Sequence, residues 1–259
     1  MRFCSLGSGS GGNATLVEAS QGITTTRVLV DAGFSERELT RRLARAGCAP
    51  ADIDALFITH EHGDHVGCAL SFAQRHRIRL VTSRGTWRAI AKDGFDTALL
   101  LPARSGEQIA LGDLALQPFA VPHDAQEPLQ LTVSDGRAKL GIVTDLGCAP
   151  DSVAVPLQGC HALVLESNHD VAMLRAGPYP PMLQRRILGT HGHLCNEDAA
   201  ALLSRCRHDA LGIVVAAHLS EKNNSPALVR EALSKALDCS PGDIRVADPG
   251  LGFDWLQVG

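Results

Sequence analysis

The apolar run Ala55-Leu56-Phe57-Ile58 leads through Thr59 into His60-Glu61-His62-Gly63-Asp64-His65. The first four residues read as a buried strand, and the six that follow hold three imidazoles and the Asp64 carboxylate. A strand entering a tight loop points His60 and His62 to one side. Asp64 and His65, a turn later at the mouth of a helix, point to a second position nearby. One loop can therefore feed two metal ions. Neutral imidazole suits zinc and its first-row neighbours, whereas a carboxylate also accepts manganese or iron. Gly63 lets the backbone turn. The competing reading, a polar loop with solvated histidines, leaves the density of ligand types unexplained.

Two metal sites need further donors, and three stand at the ends of other apolar runs. His123 follows the strand candidate 114–121, Asp145 ends 139–144, and His218 ends 211–217. Short continuous apolar runs bounded by turn residues fit strands buried in a sheet. A second His-x-His, His191 and His193, competes with His218 as the last ligand. His218 is preferred because a clean buried strand runs into it.

The pattern His60-x-His62-x-Asp64-His65 with His123, Asp145 and His218 resembles the metallo-β-lactamase superfamily. That resemblance implies an α/β fold, an αββα sandwich of two mixed β-sheets flanked by helices. It also implies a first metal on His60, His62 and His123, a second on Asp64, His65 and His218, and Asp145 bridging them. Val28-Leu29-Val30-Asp31 supplies the family's early strand ending in Asp, with Asp31 expected to accept hydrogen bonds that hold the metal loop. Gly7-Ser8-Gly9-Ser10-Gly11-Gly12-Asn13, His123-Asp124-Ala125, Thr144-Asp145-Leu146-Gly147, Glu166-Ser167-Asn168-His169-Asp170 and His218-Leu219-Ser220-x-x-Asn223-Asn224 are similar to the YycJ-like branch. That branch contains a bacterial 5′-to-3′ exonuclease and is related to phosphoribosyl cyclic phosphodiesterases.

Two cations roughly 3.5 to 4 Å apart can share a hydroxide at neutral pH and neutralise charge on an attacked phosphoryl group. The expectation is a binuclear phosphodiesterase, a 5′-to-3′ DNA exonuclease using a metal-bridging hydroxide, with two zinc or manganese ions, or iron. Asp64 belongs to the catalytic set through its metal. The alternatives are a small cyclic or phosphoribosyl phosphodiester hydrolase and a thioester hydrolase. Antibiotic hydrolysis is disfavoured because the family's β-lactam hydrolases lack the bridging Asp. A leaving alkoxide needs a proton, for which His169 and His193 are the candidates, since imidazole titrates near neutral pH. Both could instead orient ligands from behind. Ser8, Ser10 and Asn13 in the glycine-serine loop could meet a phosphate as an anion-binding nest does, although a plain hairpin turn explains those glycines as well. Asn168 and Asn223 are further candidates for substrate contact.

At 259 residues and 45% hydrophobic, the chain can bury a large core, and residues 1–259 are read as a single domain. It shows no run near the ~20 apolar residues of a membrane span and no signal-peptide pattern, so the expected setting is cytoplasmic, without a membrane partner. Eight scattered cysteines without a C-x-x-C pair read as reduced thiols. A net charge of −4 is not that of a protein living on phosphate attraction. Local stripes exist, however, at Arg37, Arg41, Arg42 and Arg45 and at Arg75, Arg77, Arg79, Arg84 and Arg88, and these could track a nucleic-acid strand. There is no room for the clamp domain of the superfamily's large RNA-processing members, so grip on a long substrate falls to the core or to a homodimer partner. Expected elements include a helix from the Ser35 cap to Gly47, a helix near 66–75, meandering strands across 99–143, and helices near 196–206 and 226–237.

Overall fold

The computed structural model describes residues 1–259. Strands β1 (Arg2–Gly7), β2 (Ala14–Gln21) and β3 (Thr24–Val30) form an antiparallel meander. Helix α1 (Glu36–Arg45) then crosses to β4 (Ala55–Ile58), which lies parallel to β3. Helices α2 (Gly63–Val66) and α3 (Ala69–His76), strand β5 (Arg79–Ser83), helix α4 (Arg84–Ile90) and strand β6 (Leu100–Ala103) extend the parallel part. The second sheet opens with β7 (Ile109–Leu111), β8 (Leu114–Ala120), β9 (Leu129–Ser134) and β10 (Lys139–Val143), paired antiparallel in turn. Helix α5 (Asp151–Leu157), strand β11 (Ala162–Glu166), helices α6 (Val171–Ala176), α7 (Pro181–Ile187) and α8 (Asn196–Cys206), strand β12 (Ile213–Ala217), helix α9 (Pro226–Leu237) and strand β13 (Arg245–Val246) follow, the strands running parallel to β10. Finally β14 (Phe253–Gln257) returns to the first sheet beside β1.

The sheet orders are β14-β1-β2-β3-β4-β5-β6 and β13-β12-β11-β10-β9-β8-β7. Strand periodicity sorts the apolar side chains into three layers. Val28, Val30 and Phe57 face the second sheet's Leu131, Leu140 and Val164 in the central core. The alternate residues Leu29, Leu56 and Ile58 pack outward with Leu39 and Leu43 of α1 and Phe72 of α3. On the far side Leu163 and Leu165 meet Leu157 of α5, Leu202 of α8 and Leu233 of α9. This is the αββα sandwich of two mixed sheets that the family resemblance implies. Truncating Phe57, which is completely buried in the central layer, to Ala is expected to cost about 3–5 kcal/mol. A denaturant-midpoint measurement checks it.

Ser35 caps α1 as expected, its Oγ accepting from the Glu38 N–H. The helix expected near 66–75 is α3, which starts three residues later at Ala69, and a separate short helix, α2, ends at Val66 with Gly67 between them. Gly67 has φ of 37°, and a side chain there would meet the Ala32 carbonyl oxygen at 2.4 Å. Gly33 is as tightly constrained, since a Cβ would lie 1.7 Å from the Asp64 carbonyl oxygen. The break and the two bare backbones let the end of β3 press against the loop 60–65. No helix is long and apolar enough to cross a membrane.

Candidate metal centre

In the parallel parts of both sheets the strand ends face one rim of the sandwich, the place where open α/β sheets carry their sites. There β3 delivers Asp31, β4 His60, β8 His123, β10 Asp145, β11 Glu166 and β12 His218. His62 Nδ1 lies 3.0 Å from His60 Nε2 and 3.3 Å from His123 Nε2. Nitrogens bound to one tetrahedral zinc at ~2.0–2.1 Å stand ~3.4 Å apart. The trio is thus already spaced for a cation. Asp64 Oδ2 lies 3.4 Å from His218 Nε2 and 3.6 Å from His65 Nε2, making a second donor group. Asp145 stands between them, with Oδ2 3.1 Å from His65 Nε2 and Oδ1 4.0 Å from His123 Nε2.

The ring nitrogens facing away from these groups are held from behind. His65 Nδ1 donates to Asp31 Oδ2 at 2.7 Å, His123 Nδ1 to the Gly192 carbonyl at 3.0 Å, and His218 Nδ1 to Glu166 Oε1 at 3.2 Å. His60 Nδ1 pairs with Thr59 Oγ1 at 2.9 Å. Asp31 also accepts from the Thr59 N–H at 2.9 Å, the loop-holding role expected of it. Such outer partners fix ring orientation and direct Nε2 toward a metal. Asp145 Oδ2 is buried, with His65 Nε2 at 3.1 Å as its close polar neighbour. A buried carboxylate is costly unless positive charge meets it; with the facing imidazoles neutral, as ligands must be, a cation has to supply that charge, and the clustered imidazole and carboxylate donors fit a divalent metal.

Two residues here adopt left-handed backbone without being glycine, Asp31 at φ 63° and His218 at φ 54°. Such conformers persist only where the surroundings enforce them. His218 is gripped on both sides, its N–H donating to Ser8 Oγ at 2.9 Å and its carbonyl accepting from Asn168 Nδ2 at 3.0 Å.

Charge balance without metal follows from the same geometry. Burial would lower the His218 pKa, but the Asp145 charge and the hydrogen bonds that its ring donates to Asp64 and Glu166 push it up to about 10. His65, also buried, is raised well above the usual imidazole range by Asp145 and Asp31. Asp145 is held well below the carboxylate range by His218 and His65, against the opposing effect of burial. A metal entering the second donor group must displace these protons, because only neutral imidazole ligates. Metal binding is therefore expected to release protons, and affinity to fall as pH drops from about 10 toward 6.5. Calorimetry in buffers of different ionisation enthalpy measures that release.

The sequence pattern of the Metallo-beta-lactamase superfamily matches residues 7–181. The chain belongs to that superfamily. It is 34% identical over 240 residues to the exodeoxyribonuclease YycJ of Bacillus anthracis, covering 92% of this chain and 89% of that one. It is 31% identical over 258 residues to the exodeoxyribonuclease WalJ of Streptococcus pneumoniae, covering 98% and 92%. The crystal structure of the metallo-beta-lactamase fold protein YhfI from Bacillus subtilis superposes with a TM-score of 0.73 over 98% of each chain, at 14% identity. The chain is a metal-dependent hydrolase.

Within this superfamily frame, the residues singled out in the sequence divide. His60, His62, Asp64, His65, His123, Asp145 and His218 converge on one rim. His193 joins them, its Nδ1 donating to Glu166 Oε1 at 2.6 Å, while its neighbour His191 is exposed and stays outside the cleft. His169 is buried, does not line the cleft, and neither ring nitrogen has a partner. Ser10 and Asn168 line the cleft. Ser8, Asn13 and Asn223, expected at the substrate, are buried beneath it instead. Ser8 supports His218, Asn13 accepts the Gly9 N–H, and the Asn223 carbonyl accepts from the Asp170 N–H. The glycine-serine loop spends its amides internally, Gly7 N on Ser5 Oγ and Gly12 N on the Gly9 carbonyl, so it is a hairpin turn more than an anion nest.

About half of the arginines in the two stripes are partnered within the chain. Arg41 and Arg42 pair with Glu38, Arg75 with Glu36 and Arg77 with Asp96. Arg42 also bonds the Leu6 carbonyl. Sequence reasoning gave no role to Glu166, the carboxylate behind both His193 and His218, nor to Asp124, Tyr179 and Arg186, which line the cleft. For Glu166 a signal existed, a lone acidic residue ending the apolar run Ala162-Leu163-Val164-Leu165.

Proposed function

We propose that this chain is a binuclear metal-dependent phosphodiesterase, a DNA exonuclease acting from the 5′ end. The observation that carries the reading is the position of Asp145, whose buried carboxylate stands between two separate three-residue donor groups, 3.1 Å from His65 Nε2 and 4.0 Å from His123 Nε2. His60, His62 and His123 would hold one ion and Asp64, His65 and His218 the other, with Asp145 shared. Mixed imidazole and carboxylate donors suit zinc or manganese, and accept iron. Two such cations, when bound, activate water at neutral pH and neutralise charge developing on an attacked phosphoryl group. The two curated relatives, each aligned over about nine-tenths of its length, are named as exodeoxyribonucleases, which favours DNA.

The chain's own residues supply the rest. Glu166 fixes the His193 ring by its Nδ1–H and leaves Nε2 for the cleft. Burial would lower the His193 pKa, but the Glu166 charge and hydrogen bond raise it. In its protonated form, which Glu166 favours, this imidazole can give the leaving 3′-alkoxide its proton. Asn168, bonded to the His218 carbonyl, lines the cleft where a substrate phosphate would sit. The eight unpaired cysteines suit a reducing, cytoplasmic setting.

A cleft of about 400 Å³ at the site holds about one nucleotide and favours, as a second reading, a small phosphodiester. Purified protein assayed with manganese or zinc against 5′-labelled single- and double-stranded DNA, RNA and a small diester separates the two. Release of mononucleotides from labelled 5′ ends supports the exonuclease. Cleavage of the small diester alone removes it, and turnover of no phosphodiester removes both readings.

A further inference from the structure

One wall of the cleft is not explained by the metal centre. It is the arch 171–193, which carries α6, α7 and, between them, Gly177-Pro178-Tyr179-Pro180. The arch contains Arg175, Arg185 and Arg186 and no carboxylate, in a chain of net charge −4. It is seated on the buried Asn223, for a side chain at Gly177 would strike Asn223 Oδ1 at 2.6 Å. Besides His193, the arch lines the cleft with Tyr179, Leu183, Arg186 and Ile187, of which Tyr179 and Arg186 bring an aromatic face and a positive charge. Tyr179, the single tyrosine of the protein, is held between two prolines that restrict its backbone, and its carbonyl accepts from Gln184 Nε2 at 2.9 Å. Arg186 Nε donates to Asp124 Oδ2 at 2.6 Å. The other oxygen of Asp124 lies 3.8 Å from His62 Nε2 and 3.5 Å from His123 Nε2, so the guanidinium waits one carboxylate's width from the first donor group.

We propose that Tyr179 and Arg186 form the subsite for the nucleotide adjoining the scissile phosphate, the ring stacking its base and the guanidinium taking its phosphate. The proposal rests on the phosphodiesterase reading and names how that site selects a nucleotide over a bare diester. An aromatic face accepts any base, and base stacking is sequence-tolerant, as an exonuclease requires. Arginine presents a planar fork matched to phosphate oxygens. The Arg186 side chain is 62% exposed, and ion pairs at such exposure contribute little, so leaving Asp124 for a phosphate costs little. Lys222, exposed on the loop after His218, places its ammonium 5.7 Å from the Tyr179 ring centre, adding positive charge where the neighbouring backbone would run.

The test compares Tyr179→Leu, Tyr179→Phe, Arg186→Gln and Arg186→Lys in the manganese-loaded full chain, with folding checked by circular dichroism. Each is assayed on a DNA oligonucleotide and on bis(p-nitrophenyl) phosphate, which lacks base and second phosphate. Affinity for a fluorescein-labelled oligonucleotide is read by anisotropy. Tyr179→Leu and Arg186→Gln are expected to lower the ratio of oligonucleotide to small-diester kcat/KM about tenfold or more, through KM, with a matching loss of affinity. Phe at 179 restores the ratio and Lys at 186 restores it in part. Arg186→Gln also reduces the salt slope of binding by about one. Equal losses on both substrates, or an unchanged ratio, would overturn the subsite. A wild-type protein inactive on both substrates removes the phosphodiesterase reading and the subsite with it.

Discussion

Replacing Asp145 with asparagine lowers turnover by about 10³-fold or more while the protein stays folded. The shared carboxylate supplies the anionic oxygen between the two donor groups, and metal-ion activation is worth several kcal/mol of barrier. Asparagine has the same shape, and the residue's backbone contact, Gln130 Nε2 to the Asp145 carbonyl, does not involve the altered group. The fold should therefore survive, as judged by the thermal melt. In the metal-free variant His218 and His65 lose their main counter-charge, so their pKa values fall back and proton release on metal binding shrinks. Full activity in this variant would refute the bridging role.

The second large effect belongs to His193. Changing it to glutamine is expected to cost about 10²- to 10⁴-fold in kcat, the usual contribution of a positioned general acid. The pH profile tests the role more sharply than the rate does. An acid works only when protonated, and Glu166 raises the His193 pKa above its ordinary value, so wild-type activity should persist above pH 6.5 and decline at higher pH. His193→Gln should remove that alkaline decline. Glu166→Gln should move it to lower pH while also loosening His218, which shares the same carboxylate oxygen. An unaltered alkaline limb in both variants would assign the proton to another group.

The strands were legible because their determinants are local and periodic, whereas their assembly into a two-sheet sandwich followed from the family resemblance. Each strand ending in a candidate ligand is a short apolar run, and the alternation of Val28, Leu29 and Val30 between two cores is a period-two pattern. The seven candidate ligands were legible for a related reason, since a strand end fixes where a side chain points. What stayed hidden depends on tertiary approach. Gly67, between α2 and α3, lies where the Ala32 carbonyl leaves no room for a side chain, an approach from a distant segment that no local propensity reveals. Ser8 and Asn13 looked like phosphate contacts by composition, yet they spend their polar atoms on the chain itself. The arginine stripes were real in sequence, but carboxylates such as Glu38 and Asp96 fold against several of them. Arg186 escaped notice for the opposite reason: its meaning comes from Asp124, 62 residues earlier in the chain.

Two ions held side by side by these donors would be visible directly. Crystals grown with zinc and measured at its absorption edge should give two anomalous peaks per chain, about 3.5 to 4 Å apart, with Asp145 between them. One peak should lie among His60, His62 and His123 and the other among Asp64, His65 and His218. A single peak at full occupancy, or two peaks with Asp145 bound to neither, would contradict it.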